Sequence, residues 1–244
     1  ATWGWRAAFI IAGLLGLITL WIRLSVGETE VFKKRSANQG VARHPMIDVF
    51  RKHPRDAFRV IGIAMAGNLL NYVWMVNYPS HAHLVTGLPM SQTLLAGIIA
   101  VTVSLALIPF VGLLADRIGR RPVLIAFAVG SALYAWPSLA LLSTSTTLLD
   151  LAAIQTVAMV LMTGFAGASA VTMAEQFPTE VRVTGIALPY ALSVTLFGGT
   201  APYLITAMNG WGYGHLVWIY LAVISGIGGI VYTLMPETKG KPLP

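Results

Sequence analysis

Apolar residues run in seven long blocks, at 7–23, 60–79, 93–115, 122–142, 150–174, 185–207 and 215–235, separated by polar segments that are short except for 24–59. A bilayer core about 30 Å thick takes roughly 20 residues of helix, and a helix satisfies its own backbone where no water can. The pattern predicts an all-α membrane protein with seven spans.

Polar residues inside those blocks are placed unevenly. In the second block Asn68, Asn71, Tyr72 and Met75 recur at i, i+3, i+4 and i+7, which puts them on one helical face near mid-depth. The fifth carries Gln155, Thr156, Met159 and Thr163, the sixth Tyr190, Ser193, Phe197 and Thr200, and the third Thr102 and Ser104. The first, fourth and seventh hold little beyond Thr19, Ser131, Ser138 and Ser225, the pattern of helices turned to lipid. A polar group in hydrocarbon must face protein or a water-filled cavity. Two readings therefore stand for Asn68, Asn71, Tyr72, Gln155, Thr163, Tyr190 and Ser193: helix–helix hydrogen bonding, or the lining of a substrate cavity. Gly164, Gly167, Ala168 and Ala170 read as a close helix contact. Gly198, Gly199 and Pro202 mark a place where the sixth span can bend, since glycine weakens a helix and proline removes a donor.

Composition agrees with the membrane reading: 56% of the 244 residues are hydrophobic and 10% charged, against about 25% charged in soluble domains. The net charge of +7 raises nucleic acid as a partner, but the 16 Lys and Arg lie almost wholly between apolar blocks. Fifteen fall in or beside alternate connections and only Arg6 lies opposite, while 80–92, 143–149 and 208–214 contain none. That bias orients the chain with its carboxy terminus cytoplasmic and excludes a nucleic-acid face. Residues 24–59, charged and interrupted by Pro45 and Pro54, read as a cytoplasmic linker, with Met46–Phe50 as a short surface helix. Residues 1–23 then form one isolated span, and 60–244 a six-helix bundle with a short tail.

The chemistry of enzymes is missing. There is no cysteine, no metal-ligand spacing, no nucleophile elbow and no carboxylate pair at mid-depth. Asp150 and Glu175 sit at span ends, so no buried carboxylate offers itself for proton transfer. His81 and His83 are two apart, a poor helical spacing for shared ligation, and read as surface residues. No catalytic residue, metal or cofactor is expected. A seven-helix receptor or light sensor is disfavoured because no span contains a lysine for a Schiff base.

The third connection reads Gly112-Leu-Leu-Ala-Asp116-Arg117-Ile-Gly119-Arg120-Arg121, closing one span and opening the next at Pro122. Gly119 permits a tight turn, the arginines suit anionic headgroups, and Asp116 can pair with Arg117 or Arg120. This segment resembles the cytoplasmic signature loop of the major facilitator superfamily. Further motifs, in order, resemble its metabolite:proton symporter family: Gly4-Trp5-Arg6, Glu28-Thr29 with Phe32, Trp136-Pro137, Glu175-Gln-Phe177-Pro178 through Arg182 to Gly185, Phe197 to Pro202, and Pro236-Glu237-Thr238-Lys239-Gly240.

The resemblance implies a major-facilitator-type bundle, here seven of an expected twelve transmembrane helices, aligned with helices six to twelve. It implies a secondary transporter of a small polar metabolite, with protons and a missing amino-terminal half as partners, in a bacterial inner membrane. The chain, which begins at Ala1, is then read as entered part-way, with residues 1–23 as the last helix of the absent half. A non-transporting sensor or scaffold derived from a carrier is the alternative. From the family the resemblance carries a gating role onto Asp116, Arg117, Arg120, Arg121, Glu175 and Arg182, with Gly112 and Gly119 shaping the loop.

Overall fold

The computed structural model describes residues 3–25, 45–177, 181–237 and 239, and every structured element among them is helical. The chain divides into two units, 1–44 and 45–244. In the first, α1 (Gly4–Ser25) occupies the first predicted span, with a shorter apolar stretch at Phe9–Ser25. Its Thr19 and Ser25 hydroxyls donate to the carbonyls of Leu15 and Trp21, so they need no partner outside the helix.

The second unit holds α2 (Pro45–Lys52), α3 (Pro54–Asn71), α4 (Tyr78–Thr86), α5 (Met90–Ile118), α6 (Arg120–Thr144), α7 (Leu148–Ala174), α8 (Arg182–Ser193), α9 (Ala201–Gly210) and α10 (Val217–Leu234). A π-helical turn, Tyr72–Asn77, joins α3 to α4, and another, Val194–Gly199, lies between α8 and α9. Counting α3–α4 and α8–α9 as one helix each, six helices among the described residues are long and apolar enough to cross a membrane. Residues 45–59, read from sequence as the end of the linker, are part of this unit. Val49 on α2 is fully buried and Phe50 packs on the core, so α2 is a docked helix rather than a surface one.

Turn chemistry sets where the helices stop. Gly87, at φ +71°, ends α4, and Gly119, at φ +110°, separates α5 from α6. At the start of α7, Thr147 and Asp150 form a reciprocal capping box, the helix-end role expected of Asp150.

The packing order is α5 on α7, α7 on α6, α6 on α10, α10 on α3, and α3 on α8 and its π-turn. This leaves α3 and α7 most enclosed: 61% and 56% of their apolar windows are buried, against 17% for α5 and 22% for the α8–α9 helix. The strongest polar faces seen in the sequence thus lie on the two central helices. Exposed hydroxyls elsewhere are satisfied within their own helix, as with Thr102 to Ile98, Thr195 to Ala191 and Thr206 to Pro202. α6 and α10, expected to face lipid, expose Leu133, Trp136, Val223, Ile227 and Ile230, yet at 39% and 33% buried they are more enclosed than α5 and the α8–α9 helix.

Candidate functional site

Two arrangements of polar groups stand out: one at mid-span around the π-helical turns, the other at the end that carries the basic residues.

Both π-turns have a sequence cause. Each is followed by a proline in the first turn of the next helical segment, Pro79 in α4 and Pro202 in α9. In the first, the Tyr78 N–H bonds the Val73 carbonyl five residues back. The next residue is Pro79, which has no N–H, so the Trp74 carbonyl loses its donor in the helix. Gln155 on α7 supplies one: its Nε2 donates to the Trp74 oxygen at 2.8 Å, with the side chain 1% exposed. A bulge at mid-membrane is thus tied to the neighbouring helix by an amide that the sequence offered for substrate. Gln155→Leu leaves a buried carbonyl unpaired but also removes Gln155 Oε1, itself buried without a partner, and is expected to lower stability by about 1 kcal/mol, read as a shift in chemical denaturation in detergent.

Other candidates divide in the same way. Asn68 is buried, its Nδ2 donating to Ser193 Oγ at 3.3 Å, and Ser193 donates in turn to the Ile61 carbonyl at 3.3 Å. Thr163 is buried and bonds the Val160 carbonyl of its own helix at 2.6 Å. These three are committed to protein partners, and Gln155 is through its Nε2, while its Oε1 is buried without a hydrogen-bond partner. Asn71, Tyr72 and Tyr190 are only partly buried, and Asn71 Nδ2 reaches Met75 Sδ at 3.4 Å, with Met75 itself exposed. The two π-turns also meet. A Cβ on Gly198 would lie 2.8 Å from the Tyr72 ring, so the ring rests on bare glycine backbone. The Gly198-Gly199 stretch, expected as a bend, is the end of this widened turn, and Pro202 opens the segment that follows.

At the basic end, Arg120 is the hub. Its guanidinium lies 3.1 Å from Asp116 on α5 and 3.5 Å from Glu175 at the end of α7. Asp116 is well exposed, whereas the Arg120 and Glu175 side chains are 15% and 14% exposed. The Arg121 guanidinium donates to the Thr233 carbonyl, and Lys239 donates through Nζ to the Arg117 carbonyl, the Arg117 side chain being exposed. Arg182 Nε donates to the Phe177 carbonyl at 3.1 Å. Gly112 allows contact at the backbone: a Cβ on Gly167 would sit 3.1 Å from its nitrogen, bringing α5 and α7 together where the glycine reading placed close packing.

Glu237 belongs to this cluster, though it entered the sequence reading only as a tail motif. Its carboxylate accepts from the backbone N–H groups of Arg120 at 3.2 Å and Arg121 at 3.1 Å. Gly119 precedes α6 and has no side chain to cap it, which is the sequence signal for a donor-hungry helix start. A Cβ on Gly119 would lie 2.6 Å from Glu237 Oε2, so the glycine also makes room for the cap. Glu237→Ala is expected to cost about 1 kcal/mol and to speed amide exchange at Arg120 and Arg121 selectively, measured by hydrogen exchange.

The opposite end differs. An open hollow of about 490 Å³ is lined by His81, Trp136, Ser143, Asn209, His215 and Trp218. His81 and His83, read as surface residues, are both half-buried, and the His83 ring bonds the Leu88 carbonyl at 2.6 Å across the Gly87 turn.

Residues 1–188 match the Major Facilitator Superfamily model. The ectoine/proline transporter of Corynebacterium glutamicum is 30% identical over 98% of this chain and 50% of its own length. The alpha-ketoglutarate permease of Escherichia coli is 27% identical over 98% of this chain and 54% of its own. The citrate-proton symporter of Klebsiella pneumoniae is 28% identical, with 94% and 52% covered. The chain spans about half the length of the curated relatives it matches. Six helices long and apolar enough to cross a membrane, the glycine turn with its Arg120 hub, and these alignments agree: the chain belongs to the major facilitator superfamily.

Proposed function

We propose that this chain is the carboxy-terminal part of a twelve-helix secondary carrier that moves a small polar metabolite, an organic acid or a zwitterion, by alternating access with proton symport. It sits in a bacterial inner membrane with its carboxy terminus and the Arg120 cluster cytoplasmic. Residues 1–23 are the last helix of the amino-terminal half; the linker read over 24–59 ends in α2 and the first turn of α3, which belong with 60–244 to the carboxy-terminal bundle.

The observation that carries this reading is the pair of π-turns meeting at Tyr72 and Gly198, with Asn71 and Tyr190 partly open beside them. Broken helical backbone at membrane depth is tolerated where it is buried in protein or lines a water-filled cavity, and carriers place substrate at such breaks. Within 45–244, α5 and α8–α9 are the least enclosed spans. A second half packed over them completes a cavity lined by Asn71, Tyr72 and Tyr190. Asn68, Gln155, Thr163 and Ser193 then hold the wall rather than touch substrate. The Asp116–Arg120–Glu175 cluster with Arg121, Arg182 and Glu237 steadies the cytoplasmic end in one state of the cycle.

The test is uptake of radiolabelled organic acids and zwitterions into vesicles containing the complete carrier, under an inward proton gradient. Uptake of at least one, abolished by a protonophore, is the expected result. Uptake indifferent to the protonophore removes the symport, and none across the panel favours a carrier-derived sensor.

A further inference from the structure

Beside the Arg120 cluster, the start of α3 and the end of α10 enclose an open groove of about 480 Å³, lined by Arg55, Phe58 and Arg59 on one side and Val231, Leu234 and Met235 on the other. Real contacts close its deep edge. Val231 packs where a Cβ on Gly62 would meet it at 3.0 Å, and the Tyr232 hydroxyl bonds the Ile63 carbonyl at 2.7 Å.

The groove has two chemical characters. Its apolar surface is offered by Phe58 and by Leu234, the last residue of α10, which are 67% and 78% exposed, with Val231 one turn deeper. Its cationic surface lies at the same end of the span: Arg55 and Arg59 are one turn apart on α3 with Phe58 between them. Arg59 shares Asp56 at 3.2 Å with its side chain still 43% exposed. Arg55 is exposed and has no ion-pair partner among the described residues.

Arginines in the first turn of a span sit at headgroup depth, and the guanidinium fork matches a phosphate diester. A small free anion has no use for the apolar wall, whereas a diacyl lipid uses both the arginines and the apolar surface beside them. We propose that this groove is a binding site for an anionic phospholipid. The headgroup phosphate lies between Arg55 and Arg59, and one acyl chain lies over Phe58 and Leu234 and runs past Val231 toward the bilayer centre.

Native mass spectrometry of the full chain in detergent, titrated with phosphatidylglycerol or with phosphatidylcholine of the same acyl chains, tests this. Phosphatidylglycerol is expected to bind roughly tenfold more tightly. The double variant Arg55→Gln, Arg59→Gln is expected to bind both lipids alike. Arg51→Gln with Lys52→Gln removes the same charge outside the groove and is expected to keep the preference. Glycerol phosphate, the anion without acyl chains, is expected not to displace the lipid. Equal binding of the two lipids by the parent chain overturns the proposal. So does a preference that survives in the Arg55, Arg59 variant, one lost equally in the Arg51, Lys52 variant, or displacement by glycerol phosphate.

Discussion

Arg120→Gln is expected to destabilise the folded chain by about 2 kcal/mol. Two ion pairs are lost, but they are not equal. The Asp116 carboxylate is 64% exposed, and an exposed pair is worth little, about 0–1 kcal/mol. Glu175 decides the outcome: its side chain is 14% exposed, and its Oε2 is buried without a hydrogen-bond partner. Removing one member of a fully buried pair costs about 3–5 kcal/mol; here both side chains keep some water, so the cost falls below that range, to about 2 kcal/mol. Adding Glu175→Gln should restore about half of the loss, because a neutral amide is cheaper to leave alone than a carboxylate. Chemical denaturation of the two single variants and the double variant in detergent checks this. Equal destabilisation by Arg120→Gln with Glu175 intact or neutralised would show that the pair carries no weight.

Gly198→Val is expected to cost about 3 kcal/mol, the upper end for overpacking a filled site. Its Cβ would meet the Tyr72 ring at 2.8 Å and the Asn68 carbonyl at 3.5 Å, before either γ-methyl is added. Tyr72 is anchored on a π-turn that Gln155 ties to α7, so the ring has little freedom to retreat. Pairing Gly198→Val with Tyr72→Ala should recover a large part of the loss, since the new methyls then fill the space of the ring. Thermal unfolding of the single and double variants measures this coupling, and strict additivity would contradict the contact.

The membrane class and the places of the six crossing helices were legible because blocks of about 20 apolar residues leave few alternatives. The signature turn was legible as well, since Gly119 between an acidic helix end and two arginines is a local pattern. Partner choice was not. Asp116 could pair with Arg117 or Arg120 by spacing alone, and the fold selects Arg120 because Glu175 comes to the same point from α7. Glu237 caps a helix that starts 117 residues earlier, and Asn68 meets Ser193 across 125 residues. The periodic face Asn68–Asn71–Tyr72–Met75 assumed an unbroken α-helix. The turn beginning at Tyr72 widens instead, because Pro79 withholds a donor, and Gln155 answers that loss from another helix.

The division of polar residues into wall and cavity is the central claim, and the chain's lack of cysteine makes it directly measurable. In the complete carrier, with any cysteine outside this chain replaced by serine, Asn71→Cys and Tyr190→Cys should react with a membrane-impermeant thiol reagent, and a transported metabolite should slow the reaction. Asn68→Cys and Ser193→Cys, buried between α3 and α8, should stay unlabelled. If cysteine at 71 and 190 is as inert as cysteine at the lipid-exposed Leu133, or if no metabolite alters its rate, the cavity assigned to this face does not exist.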